Sequence, residues 1–107
     1  MRSLITQGRY KMMKKKYKLV ECADGFSMSV QASEGNYCSP RDDIGPYTKV
    51  EVGFPSSYDW QLQEFAEDPD NPTESVYGWV PAINIKLCID SHGGMVAGEL
   101  PPLVENW

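Results

Sequence analysis

The sequence predicts a small α+β domain, in which a β-hairpin and two further strands form an antiparallel sheet with two helices on one face. Two segments of alternating polar and apolar residues flank Asp24-Gly25, a dipeptide that favours a tight hairpin turn. A proline-led segment with apolar residues at helical spacing ends at Gly93-Gly94. With 107 residues, of which 41% are apolar, the chain is long enough for one such domain and its core.

The hairpin is predicted from Tyr17–Ala23 and Phe26–Ala32, joined by a two-residue turn. The length of the turn fixes the pairing, so Ala23 opposes Phe26 and one side of the hairpin faces the core. The predicted core side holds Tyr17, Leu19, Ala23, Phe26, Met28, Val30 and Ala32, and the outer side holds Lys18, Val20, Cys22, Ser27, Ser29 and Gln31.

A third strand and a first helix follow a long loop over residues 33–46. Residues 48–54 alternate in polarity and stop at Pro55, which predicts a strand. Residues 58–67 predict a short helix capped by Ser57 or Asp59, because a side-chain oxygen there accepts hydrogen bonds from free backbone amides. The loop over residues 68–72 contains two prolines and therefore ends this helix.

A fourth strand over residues 75–80 leads into a second helix. Pro81 fits the first helical turn, where its missing N–H costs nothing. A stripe at helical spacing follows, and it consists of Ala82, Ile85, Cys88, Ile89 and His92. The predicted domain spans residues 17–94, between a flexible basic arm over residues 1–16 and a tail over residues 95–107 that is extended, docked or disordered.

Charge is divided between the arm and the body of the chain. Seven of the ten basic residues lie within the first eighteen positions, and no acidic residue precedes Glu21. From Leu19 onward, fifteen carboxylates face three bases, which gives this part a formal charge of −12. An acidic body repels phosphate and attracts basic surfaces, so we expect a basic protein or ribonucleoprotein as the partner rather than nucleic acid itself.

The candidate partner-binding residues are acidic and fall in two places. Five acids occur within eleven positions with no base between them, namely Glu64, Glu67, Asp68, Asp70 and Glu74. Such a patch can occupy a groove of arginine and lysine that normally holds phosphates. Asp42 and Asp43 extend it if the long loop folds beside it. A solvated acidic loop is the alternative, because Asp and Asn also favour turns.

Two groups of residues in the sequence carry atoms that can bind a metal ion. Cys22, Cys38, Cys88 and His92 supply the atoms of a Cys₃His zinc site, but no two cysteines have the close spacing of such sites. For calcium, the oxygen ligands are Asp68, Asp70, Asn71 and Glu74, which lack the spacing of an EF-hand. The sequence therefore predicts no metal and no other cofactor.

No group of residues identifies a reaction. Cys38 or Ser39 could act as a nucleophile with His92 as its base. The chain has no nucleophile-elbow sequence, no glycine-rich phosphate loop and no His-Glu-x-x-His motif. The sequence therefore predicts a protein that is not an enzyme.

The basic arm supplies an alternative function. Arg9, Tyr10 and several lysines alternate there in a pattern that can bind the backbone of RNA or DNA. The alternative is thus a small nucleic-acid-associated regulator. A mobile basic tail is the simpler interpretation, and most of the arm is absent if translation begins at Met12 or Met13.

Several segments resemble small accessory proteins of tailed bacteriophages. These segments are Ala23–Ala32, Tyr37–Arg41, Val50–Ser56, Ala66–Pro72 and Tyr77–Pro81, followed by His92–Gly94. The resemblance implies a phage origin and a role like that of accessory factors that bind and disarm host proteins, anti-CRISPR proteins among them. It carries no catalytic residues.

The expected location is the cytoplasm of a bacterial host. No apolar run approaches the roughly 20 residues that cross a bilayer, and the N-terminus lacks the apolar stretch of a secretory signal. Three cysteines at irregular spacing do not predict a disulfide framework, which agrees with a reducing compartment.

Overall fold

The computed structural model describes residues 16–105 and confirms the α+β class. The strands are β1 (Val20–Cys22), β2 (Ser27–Gln31), β3 (Lys49–Gly53), β4 (Val76–Pro81) and β5 (Met95–Ala97), and the helices are α1 (Trp60–Gln63) and α2 (Ala82–Ser91). The strands form one antiparallel sheet in the order β4-β3-β2-β1-β5. Neither described helix has the length and apolar character needed to cross a membrane. Apart from Lys16, the predicted basic arm lies outside the described residues.

The core is built from alternate strand residues and the buried sides of both helices. Successive residues of a strand point to opposite sides of the sheet, so Val50 and Val52 of β3 enter the core together. Other fully buried side chains are Val20, Met28, Val30, Leu62, Val80, Ile85 and Cys88.

The hairpin loop has three residues, Ala23–Gly25, where the sequence predicted a two-residue turn. Cys22 N donates to Phe26 O at 2.8 Å and closes the loop. Asp24 Oδ1 accepts a hydrogen bond from Phe26 N at 2.9 Å, and Gly25 has φ +96°. An acidic side chain that bonds its own backbone and a glycine in the left-handed region are both typical of a three-residue hairpin loop.

This extra loop residue exchanges the two sides of β1. Val20 pairs with Met28, one residue away from the predicted register. Val20 and Cys22 are therefore buried, although the sequence predicts them on the outer side, whereas Leu19 and Ala23 are exposed. Because side chains alternate with a period of two, a slip of one residue moves every side chain to the other face. For β2 and the residues that flank it, the prediction is confirmed at the buried residues Phe26, Met28, Val30 and Ala32, while Ser27 and Ser29 are half-buried rather than exposed.

Helix α1 has four residues, which makes it much shorter than predicted. Asp59 caps it, as expected, by accepting a hydrogen bond from Gln61 N at 2.9 Å. Beyond α1 the chain pairs with β4, where Ala66 bridges Tyr77 and Phe65 O accepts from Gly78 N. These backbone groups bond to the sheet instead of continuing the helix, which explains the early end.

Helix α2 follows the prediction closely, but the chain after it does not. Pro81 is the N-cap rather than a residue of the first turn, and the predicted stripe is buried up to Ile89. Gly93 and Gly94 have φ of +90° and +95° and end the helix. The next residues form β5, which pairs with β1 and which the sequence did not predict. All three residues of β5 are exposed, so no buried alternation marked this strand.

Candidate functional sites

His92 lies at the C-terminal cap of α2 and is hydrogen-bonded at both ring nitrogens. Nδ1 lies 2.7 Å from Asp24 Oδ2, and Nε2 lies 2.7 Å from Asp59 Oδ2. Both partners are carboxylates, so both nitrogens donate and the ring is an imidazolium in this arrangement. The Phe26 ring stacks on it with centroids 3.9 Å apart and planes 6° apart. We call Asp24, Asp59 and His92 the buried charge network, after the shielded pair of Asp59 and His92, whereas 49% of the Asp24 side chain is exposed. The network joins the hairpin loop to the ends of both helices.

The electrostatics of the buried charge network favour its charged form. Desolvation lowers the pKa of His92, but the hydrogen bonds to Asp24 and Asp59 and the negative charges of these residues outweigh it and raise that pKa. The hydrogen bond from His92 and a second one from Phe26 N lower the pKa of Asp24. The fold therefore favours the imidazolium form of His92 over its neutral form.

Cys88 lies beside the buried charge network, one helical turn before His92. Its Sγ, a carboxylate oxygen of Asp59 and a ring nitrogen of His92 all lie within 4.8 Å of one another. The Cys88 side chain is fully buried, and this burial, with the nearby Asp59 charge, raises the pKa of the thiol. Cys88 is therefore a protonated thiol without access to solvent, which makes it a poor nucleophile.

The structure brings together only part of the zinc set considered from the sequence. Cys88 and His92 share one side of α2, as their spacing predicts. Cys38 lies in the long loop, where its Sγ donates to Ser33 O at 3.2 Å. The third donor atom near Cys88 and His92 belongs to Asp59 and not to Cys22 or Cys38. From the sequence, Asp59 is expected only to cap a helix.

The predicted nucleophiles are not brought to His92. Cys38 and Ser39 hydrogen-bond within residues 33–49. His92 contacts side chains of the hairpin and of the α1 cap instead. Among residues 16–105, a cysteine or serine of the long loop therefore forms no catalytic pair with this histidine.

Residues 64–74, which we call the acidic segment, present all five of their carboxylates to solvent. These exposed residues are Glu64, Glu67, Asp68, Asp70 and Glu74. Within residues 16–105, none of them takes part in an ion pair. Their backbone is fixed, since Glu67 N donates to Val76 O at 2.9 Å and Asp68 N donates to Ser75 Oγ at 3.0 Å. In the described part of the chain the carboxylates do not converge as metal ligands, so nothing supports the calcium arrangement.

Asp42 and Asp43 serve the turns of their own loop. Asp42 Oδ1 accepts from Ile44 N and Gly45 N, both at 2.9 Å, and these hydrogen bonds lower the pKa of Asp42. Asp43 Oδ1 accepts from Glu34 N at 2.8 Å. These contacts lie within the long loop and do not link Asp42 or Asp43 to residues 64–74. The extension of the acidic segment by these two residues therefore stays a prediction.

Tyr37 and Trp79 form a stacked pair on the surface, which we call the aromatic pair. Their ring centroids lie 4.9 Å apart, with 37% of Tyr37 and 47% of Trp79 exposed. The guanidinium of Arg41 lies 5.7 Å from the Tyr37 ring centroid. The chain next to this pair is hydrogen-bonded to the acidic segment, since Gly78 N, which precedes Trp79, donates to Phe65 O at 3.3 Å.

Trp79 keeps an uncommon backbone conformation. Its φ is +51°, in the left-handed region, at a β-bulge where the pairing of β4 with β3 shifts. A bulky residue there costs roughly 1–3 kcal/mol. Hydrogen bonds hold the conformation, since Trp79 N donates to Tyr37 O at 3.0 Å and Tyr37 N donates to Glu51 Oε1 at 2.9 Å. The fold thus maintains local strain around an exposed aromatic ring.

The sequence predicts four exposed aromatic residues as anchors of an apolar interface, namely Tyr37, Tyr47, Trp60 and Trp107, and their observed exposure agrees only in part. Tyr37 and Trp60 are exposed, as expected of interface aromatics. Tyr47, considered with them, is only 1% exposed, and its hydroxyl donates to Asp42 O. Trp107, the fourth member of that set, lies outside the described residues. The sequence pattern does not predict an exposed Trp79, because simple alternation from the buried Tyr77 would bury it as well. A bulge in β4, which the sequence pattern does not show, directs its side chain to solvent instead.

Comparison with known proteins finds no matching family model and no similar curated protein or solved structure. The function of the chain is therefore inferred from its own surface and buried chemistry.

Proposed function

We propose that this protein is a non-enzymatic binding protein whose acidic segment contacts a basic surface of a partner protein. The observation that supports this proposal is a segment with five exposed carboxylates, which form no ion pair in the described chain and whose Phe65 is hydrogen-bonded to Gly78, beside the strained and exposed Trp79. Strain that surrounding hydrogen bonds maintain at the surface is a feature of functional sites. The two parts together supply what a protein interface needs.

The charges and the rings have different tasks in this interface. Unpaired surface carboxylates speed the encounter with a basic partner and select against acidic ones, but add little affinity by themselves. Affinity comes from a few buried anchors, among which Trp, Tyr and Arg are over-represented. Trp79, Tyr37 and Arg41 lie together and are of these types. We therefore assign the anchor to the aromatic pair and the orientation to the acidic segment.

The proposed partner is a host protein or ribonucleoprotein that handles nucleic acid. Its surface carries arginine and lysine for phosphate, and the carboxylates of the acidic segment would occupy that surface in place of phosphate. The phage-like segments of the sequence extend this proposal to inhibition of a host defence complex, as anti-CRISPR proteins do. The formal charge of the whole chain, −5, agrees with a basic partner.

The test begins with capture of the partner from a bacterial lysate, with and without nuclease, followed by binding measurements on the purified pair. Reversing Glu67, Asp68 and Asp70 to Lys should abolish binding while the circular dichroism spectrum stays unchanged. Wild-type binding should weaken steeply with salt, because exposed charges are screened. The control reverses three exposed acids elsewhere in the chain to Lys, namely Glu21, Asp90 and Glu105. If both triple variants lose the same binding affinity, the effect is due to the change in net charge. That result would overturn the role of the acidic segment.

A second pair of variants tests the anchor. Trp79→Ala and Trp79→Gly both remove the ring, and both should weaken binding about tenfold or more, as expected for a hot-spot residue. Glycine also relieves the left-handed backbone, so the two variants differ in stability but not in the lost contact. If the loss of binding affinity instead differs between the two variants in line with their stabilities, the loss is due to the fold and not to the missing ring. Trp79 would then not be an interface residue.

The alternative function is a nucleic-acid-associated regulator that uses the basic arm. It is favoured by the concentration of seven basic residues in the first eighteen positions. Deleting residues 1–12 should then remove binding, and the three reversals in the acidic segment should strengthen it by lowering the repulsion of phosphate. The two functions therefore predict effects of opposite sign for the same reversed variant.

A further inference from the structure

We propose that Asp59, Cys88 and His92 form a zinc-binding site at the meeting point of α1 and α2. An oxygen, a sulfur and a nitrogen donor lie within 4.8 Å of one another there. These are the three ligand types that zinc takes in proteins. Asp59 and Cys88 are buried, and the His92 side chain is 17% exposed. The three donor side chains are therefore largely shielded from solvent.

The surrounding hydrogen bonds already orient two of the three ligands. Asp24 occupies Nδ1 of His92, which leaves Nε2 directed at Asp59. A carboxylate on the far nitrogen of a histidine is the usual support of a zinc-bound imidazole. Asp59 Oδ1 accepts from Gln61 N, so Oδ2 is the oxygen directed at His92. Cys88 and His92 are four residues apart on α2, a spacing that places them on one side of a helix.

Zinc would replace two protons in this site. The Nε2 proton of the imidazolium and the Sγ proton of Cys88 would leave to solvent, while bonds form from zinc to Nε2, to Sγ and to Asp59 Oδ2. No oxidant or reductant takes part. The net charge of the site is the same before and after, because the two positive charges of the ion replace those of the two protons. A coordinated thiol is deprotonated by the ion itself, which removes the objection that a buried thiolate would otherwise be unpaired.

Zinc coordination requires the three ligand atoms to move by about an ångström. Nε2 and Oδ2 lie 2.7 Å apart, a hydrogen-bond distance. Two ligands at about 2.0–2.1 Å from a tetrahedral zinc ion lie about 3.3 Å apart, so these atoms need to separate by about half an ångström. Cys88 Sγ lies within 4.8 Å of a carboxylate oxygen of Asp59 and a ring nitrogen of His92, and a sulfur at about 2.3 Å from the same ion lies about 3.5 Å from the other two ligands, so Sγ has to approach them by up to about 1.3 Å. Water would take the fourth position.

The experiment loads the full chain, first stripped with EDTA, with Zn²⁺ or with Co²⁺ as a coloured substitute. We expect one zinc per chain after gel filtration, a higher melting temperature with zinc than with EDTA, and a thiolate-to-cobalt charge-transfer band. Cys88→Ser should abolish that band, whereas Cys38→Ser, which changes a buried cysteine of the long loop, should retain it. Asp24→Asn should weaken zinc binding about 10–100-fold, because it alters only the support of the imidazole.

Several results would overturn the zinc site. A folded wild-type chain that retains no zinc and gives no cobalt band would do so. A band that persists in Cys88→Ser, or that disappears equally in Cys38→Ser, would place the metal elsewhere. Circular dichroism of each apoprotein separates loss of ligand from loss of fold, and the His92→Gln variant provides a second loss-of-ligand test should Cys88→Ser fail to fold.

Discussion

The buried charge network and the acidic segment use carboxylates, the same kind of group, in opposite ways. Asp59 is withdrawn from water, with 5% of its side chain exposed, and shares an imidazolium with Asp24. Glu67 and Asp70 stand in solvent without an ion pair in the described chain. A desolvated charge must have a partner, and the network finds its partners on three separate elements. An exposed charge needs none, and it therefore stays available to another molecule.

This contrast also separates what each region contributes to stability. Removing one member of a buried, hydrogen-bonded ion pair leaves the other member uncompensated, whereas even an exposed ion pair contributes only about 0–1 kcal/mol to stability. The fold should thus be sensitive to the network and tolerant of changes in the acidic segment. Binding should show the reverse.

The largest expected effect comes from the ring that packs on the network. Phe26→Ala should lower the free energy of unfolding by about 3–5 kcal/mol, because Phe26 is buried and stacks on His92. Urea denaturation monitored by circular dichroism measures this. Ile44→Ala, at a residue that is 80% exposed, is the control and should change stability by less than about 0.5 kcal/mol. Similar losses at both positions would contradict the assignment of Phe26 to the core.

Removing charge from the network should have the next largest effect. Asp59→Asn keeps a capping oxygen for α1 but loses the carboxylate that accepts from His92 Nε2. Because hydrogen bonds to charged groups contribute about 1.5–3 kcal/mol, we expect a loss of about 2 kcal/mol in urea denaturation with EDTA present. A loss under about 0.5 kcal/mol would contradict a stabilising role for the hydrogen bond between Asp59 and His92.

The pH dependence of the free energy of unfolding should show part of the stabilisation that the buried charge network provides. Unfolded aspartate and histidine titrate near about 3.9 and about 6.5. The pKa of His92 is raised in the fold, so its contribution is complete below about pH 6.5 and is lost as pH rises through the folded value. The pKa of Asp24 is lowered, so its contribution is complete above about pH 3.9 and is lost as pH falls through the folded value.

We therefore expect the network to stabilise the fold most between about pH 3.9 and about pH 6.5. Urea midpoints measured with EDTA should fall above this window in the wild-type chain. His92→Gln should lack that fall, because it has no imidazole to titrate. An identical alkaline fall in both proteins would assign it to other groups.

The strained backbone of Trp79 should give a smaller effect. Trp79→Gly should be more stable than Trp79→Ala by about 1 kcal/mol, since both lack the ring and only alanine retains the penalty of φ +51°. Thermal and urea denaturation of the two variants measure the difference. Equal stabilities would show that this backbone is relaxed rather than strained.

The smallest effects belong to the acidic segment. Glu64→Gln and Glu67→Gln should each leave the free energy of unfolding within about 0.5 kcal/mol of the wild type, because both side chains are exposed. Measured beside Asp59→Asn under the same conditions, these two variants test whether the buried charge network stabilises the fold more than the acidic segment does. A loss of about 2 kcal/mol at Glu64 or Glu67 would show that the segment supports the fold and is not free for a partner.

The sequence by itself determined the elements whose signals are local. Asp24-Gly25 marked the hairpin loop, the alternation of β2 marked its buried side, and the stripe of α2 with Gly93-Gly94 marked that helix and its end. Asp59 was identified as a cap for the same reason, since a cap depends on residues two or three positions away. The exposure of the acidic segment followed from its composition.

Only the tertiary structure decided the features that depend on distant pairing. One extra loop residue set the register of β1 and buried Val20 and Cys22 instead of Leu19. β5 exists because β1 offers it an edge, and Trp79 is exposed because a bulge between β3 and β4 turns it outward. Asp24, Asp59 and Cys88 reach His92 from separate parts of the chain. Local pattern fixes which side chains a segment can bury, but contacts between remote segments are set by the free energy of the whole packed core.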